Sequence, residues 1–300
     1  MRCIAVINQK GGVGKTTTTV NLGAALAQRG QGCLLIDLDP QAHLSAHLGF
    51  DAREPGPGTY EILADSVAPR EVIRPIADRL AAIPTRLDLA GAEVELATAI
   101  GREMILRDAL AAEPLPFDWA LIDCPPSLGV LTLNALCAAR EVLVPLQPHF
   151  LALQGVGRLF ETVARVGKRI NPGLRVMGLV MCMYESGTKL AGEVVDDLSR
   201  YLSAARGTNL PWEAARIFDT RIRRNVKLAE CPSYGQSIFG YAPRSHGAED
   251  YLALADELLS DAPAAGPVDA AVVADRPRRP VAPPPDGEPA EPQRAGAAAP

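Results

Sequence analysis

The sequence predicts a doubly wound α/β fold, a mostly parallel sheet with helices on both faces, and three observations predict it. Short runs of continuous apolar residues recur along the 300-residue chain, the pattern of strands buried on both faces. Segments with helical spacing separate those runs. The first run feeds a glycine-rich turn that opens directly into a helical stretch, and such sheets bind ligands beyond the carboxyl ends of their strands.

The elements follow in order. "CIAVI" reads as a buried first strand, and "KTTTTVNLGAALAQRG" as a helix stopped by glycine. "GCLLIDLDP" is the next strand, closed by an Asp-Pro turn, and "REPGPGT" a surface loop. "LAAIP" is a third short strand, and "LAGAEVELATAIGREMILRDAL" is expected as one long helical segment. "FDWALIDCPPS" predicts a strand and "VLTLNALCAA" a helix. "EVLVPLQP" and "RVMGLVMCMY" are strands separated by the helical "GVGRLFETVARVGKRI". "EVVDDLSRYLSAAR" and "GAEDYLALADELLSD" read as amphipathic helices. From Asp261 the chain turns Pro/Ala-rich without aromatics or periodicity. One domain over 1–260 and a disordered tail over 261–300 are therefore expected.

Bulk composition narrows the function classes. Hydrophobic content of 48% suffices for a large core, and a net charge of -5 gives no overall field toward polyanions. Any polyanion contact must come from a local basic patch. Six scattered cysteines without a C-x-x-C pair suggest neither a zinc ribbon nor a disulfide framework. The apolar run after Met1 is too short for a signal peptide, and no apolar stretch is long enough to span a bilayer. A cytoplasmic protein is expected.

The chemistry starts in "INQKGGVGKTTTT". Gly11, Gly12 and Gly14, with Val13 between them, let backbone N–H groups converge on phosphate oxygens. Thr16 and Thr17 open a helix whose positive end favours anions. Lys15 is expected at the β and γ phosphates of a nucleotide, and the Thr16 hydroxyl on Mg²⁺. The usual phosphate loop carries a glycine where Gln9 stands, and this one adds a second lysine, Lys10. Strand ends supply carboxylates: Asp37 and Asp39 in "LLIDLDP", two residues apart and so able to face one side, and Asp123 in "LIDCPPS". Carboxylates beside such a loop hold Mg²⁺ through water or orient the attacking water. His43 and His47 stand four apart without a third ligand, and read as ordinary surface or loop-facing histidines. Ser127 has no His/Asp partner motif that would make it a nucleophile.

"KGGVGKTT", "LLIDLDPQ" and "ALIDCPPSLGVLTLNAL" together resemble the deviant Walker A, Walker A′ and Walker B segments of the ParA/MinD ATPases. The resemblance continues through "LDLAGAEVEL", "VLVPLQPHFLALQG", "RRNVKLAECPSYGQSI" and "YAPRSHGAEDYLALADEL", from Met1 to about Ser260. It is nearest to the short ParA or Soj partition ATPases. It implies that ATP and Mg²⁺ are the cofactors and that an ATP-dependent homodimer forms. Lys10 would act in trans on the partner's phosphates, and Asp39 would position or activate water. Asp123 would lie near Mg²⁺, with Asp37 supporting the metal shell. Asn225 matches an adenine-contacting position, and Arg223, where the family often has proline, would contribute through its backbone.

Other branches of the family fit less well. The iron–sulfur carriers need dimer-bridging cysteines after Walker B, where Val130 and its neighbours stand. MinD ends in a basic amphipathic helix for the membrane, whereas this tail is Pro-rich with mixed charge, so no membrane partner is expected. Bacterial tyrosine kinases carry a terminal tyrosine cluster, absent from this tail. The loop begins too near Met1 for the N-terminal DNA-binding domain of the larger plasmid ATPases. The resemblance implies nonspecific DNA binding, nucleoid association and a ParB-like activating partner. "RIRRNVK" supplies Arg221, Arg224 and Lys227 for phosphate contacts, and Arg224 matches a family position implicated in DNA binding. Gly187 departs from the arginine frequent in that loop of the family, leaving Lys189 nearby. Two alternatives stand beside this reading. One is a cargo-positioning ATPase, the other a metabolic ligase resembling dethiobiotin synthetase.

Overall fold

The computed structural model describes residues 1–54 and 56–261. In chain order the elements are β1 (Arg2–Val6), α1 (Lys15–Gln28), β2 (Cys33–Asp37), α2 (His43–His47), α3 (Thr59–Ala64) and α4 (Pro69–Val72). There follow β3 (Arg74–Ala77), β4 (Leu80–Ile83), α5 (Leu89–Glu95), α6 (Ile105–Ala112), β5 (Trp119–Asp123), α7 (Val130–Ala138) and β6 (Glu141–Leu146). The rest are α8 (Ala152–Arg169), β7 (Arg175–Tyr184), α9 (Lys189–Ala204), β8 (Arg216–Arg223), α10 (Val226–Glu230), α11 (Ile238–Tyr241) and α12 (His246–Ser260).

The strands form one sheet in the order β3-β4-β2-β5-β1-β6-β7-β8. All pairings are parallel except β3 with β4. The apolar runs are buried on both faces because helices cover both. Leu106, Leu131, Val156 and Leu198 belong to the core on one face. Val20, Leu26, Tyr251 and Leu254 belong to the core on the other. On that second face α1 lies very close to the sheet. A Cβ on Gly23 would stand 2.5 Å from Leu35 Cδ2, so this helix position admits no side chain without repacking.

The register sets the site. Asp37 and Val6 both pair with Asp123, so the ends of β2, β5 and β1 lie in one row. Loops leaving that row share one rim of the sheet, at the switch point where β5 and β6 flank β1.

Three features depart from the sequence reading. The long helix expected over 89–110 is broken. It ends at Glu95, continues as a single tight turn over Leu96–Thr98, and restarts at Ile105. Gly101 takes a left-handed φ of 72°, which a helix cannot contain. The buried Asn134 side chain on α7 then accepts from Leu106 N at 3.0 Å and donates to Arg102 O at 2.7 Å, anchoring the restart. β8 was not predicted as a strand, because its outward face is charged and only Phe218 and Ile222 point into the core. β3 was also missed. It is a four-residue antiparallel edge strand carrying Pro75, which only an edge accommodates well. The predicted disordered tail lies outside the described residues, Asp261 excepted.

Candidate nucleotide site

The cradle is built from the end of β1 outward. Asn8, 5% exposed, donates through Nδ2 to Pro145 O at 2.8 Å and accepts from Lys10 N at 3.0 Å. It thereby ties the loop after β1 to the end of β6. Gly12 (φ 71°) and Gly14 (φ 96°) take left-handed backbone that L side chains rarely adopt. Val13 between them is buried and anchors the loop. α1 then starts at Lys15 and aims its free N–H groups at the rim.

The two lysines face different worlds. Lys15 is buried, and its ammonium reaches only the Lys10 carbonyl, at 3.4 Å. No carboxylate among the described residues pairs with it. A buried ammonium held this way is poised for an external anion, because a buried charge without a counter-charge is strongly disfavoured. Lys10 is exposed, and it too lacks a carboxylate partner among the described residues.

The carboxylates differ as sharply. Asp123 is fully buried and accepts from Thr16 Oγ1 at 2.6 Å and Thr19 Oγ1 at 3.4 Å. Burial, then the neighbouring Asp37, pushes its carboxyl up to about 8 against the pull of Thr16 and Lys15. Burial likewise pushes Asp37 up to about 7. Asp37 Oδ2 accepts from Ser45 N at 2.9 Å and Ser45 Oγ at 2.7 Å, while Oδ1 accepts from Asp39 N at 3.1 Å. Ser45 Oγ in turn accepts from Thr85 N at 2.8 Å. Both Asp37 oxygens are thus engaged inside the protein, and only Asp39 of the pair lines the cleft. The prediction that both could face one side assumed strand alternation. The strand ends at Asp37, and Asp39 lies in the turn beyond, where its Oδ1 accepts from Gln41 N at 3.0 Å.

The loop, Asp39 and the β8–α10 corner enclose a cleft of about 730 Å³. At its far end Asn225 caps α10, its Oδ1 accepting from Lys227 N at 2.9 Å, which leaves the side-chain NH2 for a ligand. Arg223 also lines the cleft, but its guanidinium is held by Asp250 at 2.5 Å and Glu249 at 3.2 Å. Met183 completes this end at a bulge of β7 over β8, with a left-handed φ of 50°. That conformation is costly for a side-chain-bearing residue, and bulges of this kind re-aim groups beside sites.

Residues 1–176 match the family model described as an AAA domain. Over 261 residues the chain is 41% identical to the sporulation initiation inhibitor protein Soj of Bacillus subtilis, spanning 87% of this chain and 99% of that one. It is 42% identical over 259 residues to the chromosome partitioning protein ParA of Myxococcus xanthus, spanning 86% and 88%. The chain belongs to the ParA/Soj family of P-loop ATPases. A crystal structure described as cobyrinic acid a,c-diamide synthase from Mycobacterium smegmatis, with bound ADP and magnesium, is also similar. It is 38% identical, with a TM-score of 0.73, and covers 86% of this chain and 94% of that one.

The basic residues that the ParA/Soj resemblance marks for DNA are exposed or half-buried, and each already has a local partner. Arg224 Nε pairs with Glu185 at 3.0 Å, Lys227 with Glu230 at 2.8 Å, and Lys189 with Glu193 at 3.8 Å. Arg221 stacks over Tyr184, 5.9 Å from the ring centroid, and its Nη1 is buried without a hydrogen-bond partner among the described residues. His43 lines the cleft. His47 corrects the surface reading: it is 1% exposed, and its Nε2 meets Gln236 O at 3.1 Å. A carbonyl only accepts, so Nε2 carries the proton. Burial lowers the ring to about 4, keeping it neutral. The sequence reading also missed Ser45 and Asp250. Asp250 sits on the apolar face of α12 beside Tyr251 and Leu254, and an acid at a core position of an amphipathic helix is the signal that marks it.

Proposed function

We propose that this chain is a Mg·ATP-dependent ATPase that dimerises around its nucleotide and acts as a DNA-partitioning switch. The observation that carries the reading is the pair of lysines, one ammonium buried in the glycine cradle and one exposed at its mouth, neither met by a carboxylate. Gly11 to Thr17 would hold the phosphates through backbone N–H groups, with Lys15 on the β and γ oxygens. Lys10 would reach the phosphates of the neighbouring copy, where a cation stabilises charge that develops on transfer. Asp39 would accept from and orient the attacking water. Asn225 would contact the adenine, beside the backbone of Arg223.

The metal site is judged on its donors. A threonine hydroxyl and a buried carboxylate are hard oxygen ligands, and Asp123 lies where burial disfavours its charge, so a divalent cation fits there. Thr16 would hold it directly, and Asp123 and Asp39 through water. Asp37 would support that shell at one remove, since its own oxygens are taken by Ser45 and Asp39. Bound there, Mg²⁺ supplies charge neutralisation on the phosphates.

The ATP-bound dimer would bind duplex DNA without sequence preference, through Arg221, Arg224, Lys227 and Lys189. A ParB-like protein would stimulate hydrolysis, and the protein would be cytoplasmic and nucleoid-associated. The names of the Bacillus and Myxococcus relatives support the partitioning role. No helix among the described residues is long and apolar enough to cross a membrane. The decisive assay is ATP turnover and DNA binding, with and without nonspecific duplex DNA, at two salt concentrations. Salt-dependent DNA binding only in the ATP state supports partitioning. Turnover without DNA binding moves the chain to the cargo-positioning reading.

The similarity to the Mycobacterium protein supports a second reading, a ligase that activates a carboxylate for amidation. An amidating enzyme that draws nitrogen from glutamine through a cysteine needs an activated thiolate. All six cysteines here are buried, and burial pushes the Cys124 and Cys182 thiols up, the opposite of activation. ATP hydrolysis in the absence of any carboxylic acid acceptor separates the two readings in favour of the switch.

A further inference from the structure

β1 and β6 are neighbours in the sheet, and the Asn8–Pro145 hydrogen bond locks their trailing loops together. After β6 the chain turns sharply before α8. Leu151 N donates to His149 Nδ1 at 3.2 Å, and Ala152 N donates to His149 O at 2.9 Å. That turn is held by its own hydrogen bonds, and it leaves Phe150 83% exposed and Leu151 55% exposed. Lys10 lies on the same rim, close enough that its charge adds to partial burial in lowering the His149 ring. A bare aromatic, a bare leucine and an unpaired cation thus share one patch at the mouth of the nucleotide cleft.

We infer that Phe150 and Leu151 are the apolar anchor through which a second, nucleotide-loaded copy of this chain docks beside Lys10. The inference rests on the dimer reading above and names the surface that would hold the dimer together. Charge selects the occupant. Lys10 needs an anion that this copy does not supply, and the phosphates of a second copy provide one. A cation alone makes a weak joint, since exposed charges are screened within about 8 Å at physiological salt. A central aromatic with leucine beside it, ringed by polar groups, is the composition that carries interface energy. Closed two-fold symmetry brings the same patch from both copies to one contact, so each exposed Phe150 is used twice over. Duplex DNA would satisfy Lys10 but leave Phe150 in water.

The test measures mass by light scattering, using the full chain with Mg²⁺ and a slowly hydrolysed ATP analogue. Wild type is expected to shift from monomer to dimer. Phe150→Ser should need at least ~10-fold more protein to dimerise, the loss typical of a removed hot-spot aromatic. Phe150→Leu should restore most of the dimer. A fluorescent ATP analogue should bind monomeric Phe150→Ser as it binds the wild-type monomer, which shows an intact fold and cradle. If Phe150→Ser dimerises at wild-type concentrations, the anchor is overturned while the dimer stands. If wild type stays monomeric with the analogue, the dimer reading falls, and the anchor with it.

Discussion

The nucleotide cradle and the β8–α10 corner carry the same kind of charge and treat it in opposite ways. In the cradle, Lys15 is buried with a single carbonyl contact and Lys10 stands exposed, and neither meets an acid. At the corner, Arg223, Arg224 and Lys227 are matched to Asp250, Glu185 and Glu230. A cation left without a counter-ion is committed to an external anion. A surface cation with a neighbouring acid must first exchange partners, which costs little, since exposed ion pairs contribute about 0–1 kcal/mol. The two regions therefore differ in commitment. The cradle is built around one ligand, and the corner remains adjustable.

The sharpest way to break this comparison is Lys10→Ala. Turnover is expected to fall by ~10³-fold while ATP affinity stays within about 3-fold of wild type, the split expected of a cation acting on the transferred group. Single-turnover phosphate release beside equilibrium nucleotide titration measures it, and normal hydrolysis would return Lys10 to the solvated surface. Lys15→Ala comes next. It should weaken ATP binding by about 100-fold or more, because it removes a buried charge-assisted contact. Unchanged affinity would mean that the backbone cradle suffices.

A pH series probes the carboxylate side of the cradle. Asp37 and Asp123 are raised from their ordinary range, so between about pH 4 and about pH 7–8 the folded nucleotide-free protein holds protons that the unfolded chain has released. Stability from these two groups is therefore fully present below that window and is lost as pH rises through it. The melting temperature without nucleotide should drop across the window, and Mg·ATP should restore more of it at the alkaline end. A melting curve that rises steadily with pH would show that the two acids ionise freely. The smallest effect is expected at the corner. Arg224→Ala should reduce DNA affinity about 3-fold and lower the salt slope by about 1, since it removes one phosphate contact and also frees Glu185. A loss as large as that of Lys15 would place the corner in the committed class.

The legible parts of the sequence were those in which spacing alone dictates geometry. Glycines at 11, 12 and 14 with lysine at 15 permit little other than a phosphate cradle between a strand and a helix. The apolar strand runs lie in the sheet where they were expected. Roles that depend on where an element ends were hidden. Asp37 and Asp39 look equivalent in "LLIDLDP", yet β2 stops between them, and Ser45 draws one inward. His47 looked like a surface residue because its partner, the Gln236 carbonyl, lies 189 positions away. The break in the helix after Glu95 depends on Asn134 of α7, a tertiary contact that no local periodicity encodes. Phe150 was quoted as part of a motif, but its exposure emerges only when the turn after β6 is seen closed on itself.

The position of β1 in the sheet has a consequence for the chain as it is made. β1 is the first strand synthesised, yet both of its neighbours, Trp119–Asp123 and Glu141–Leu146, come more than a hundred residues later. A parallel strand finds its place only after such long-range closures are made, and those are slow steps in folding. The cradle hangs from the end of β1 and is pinned by Pro145 and Asp123, so on a ribosome it stays unassembled until about half of the polypeptide has emerged. Nucleotide capture by a nascent chain would then report that the central sheet has closed.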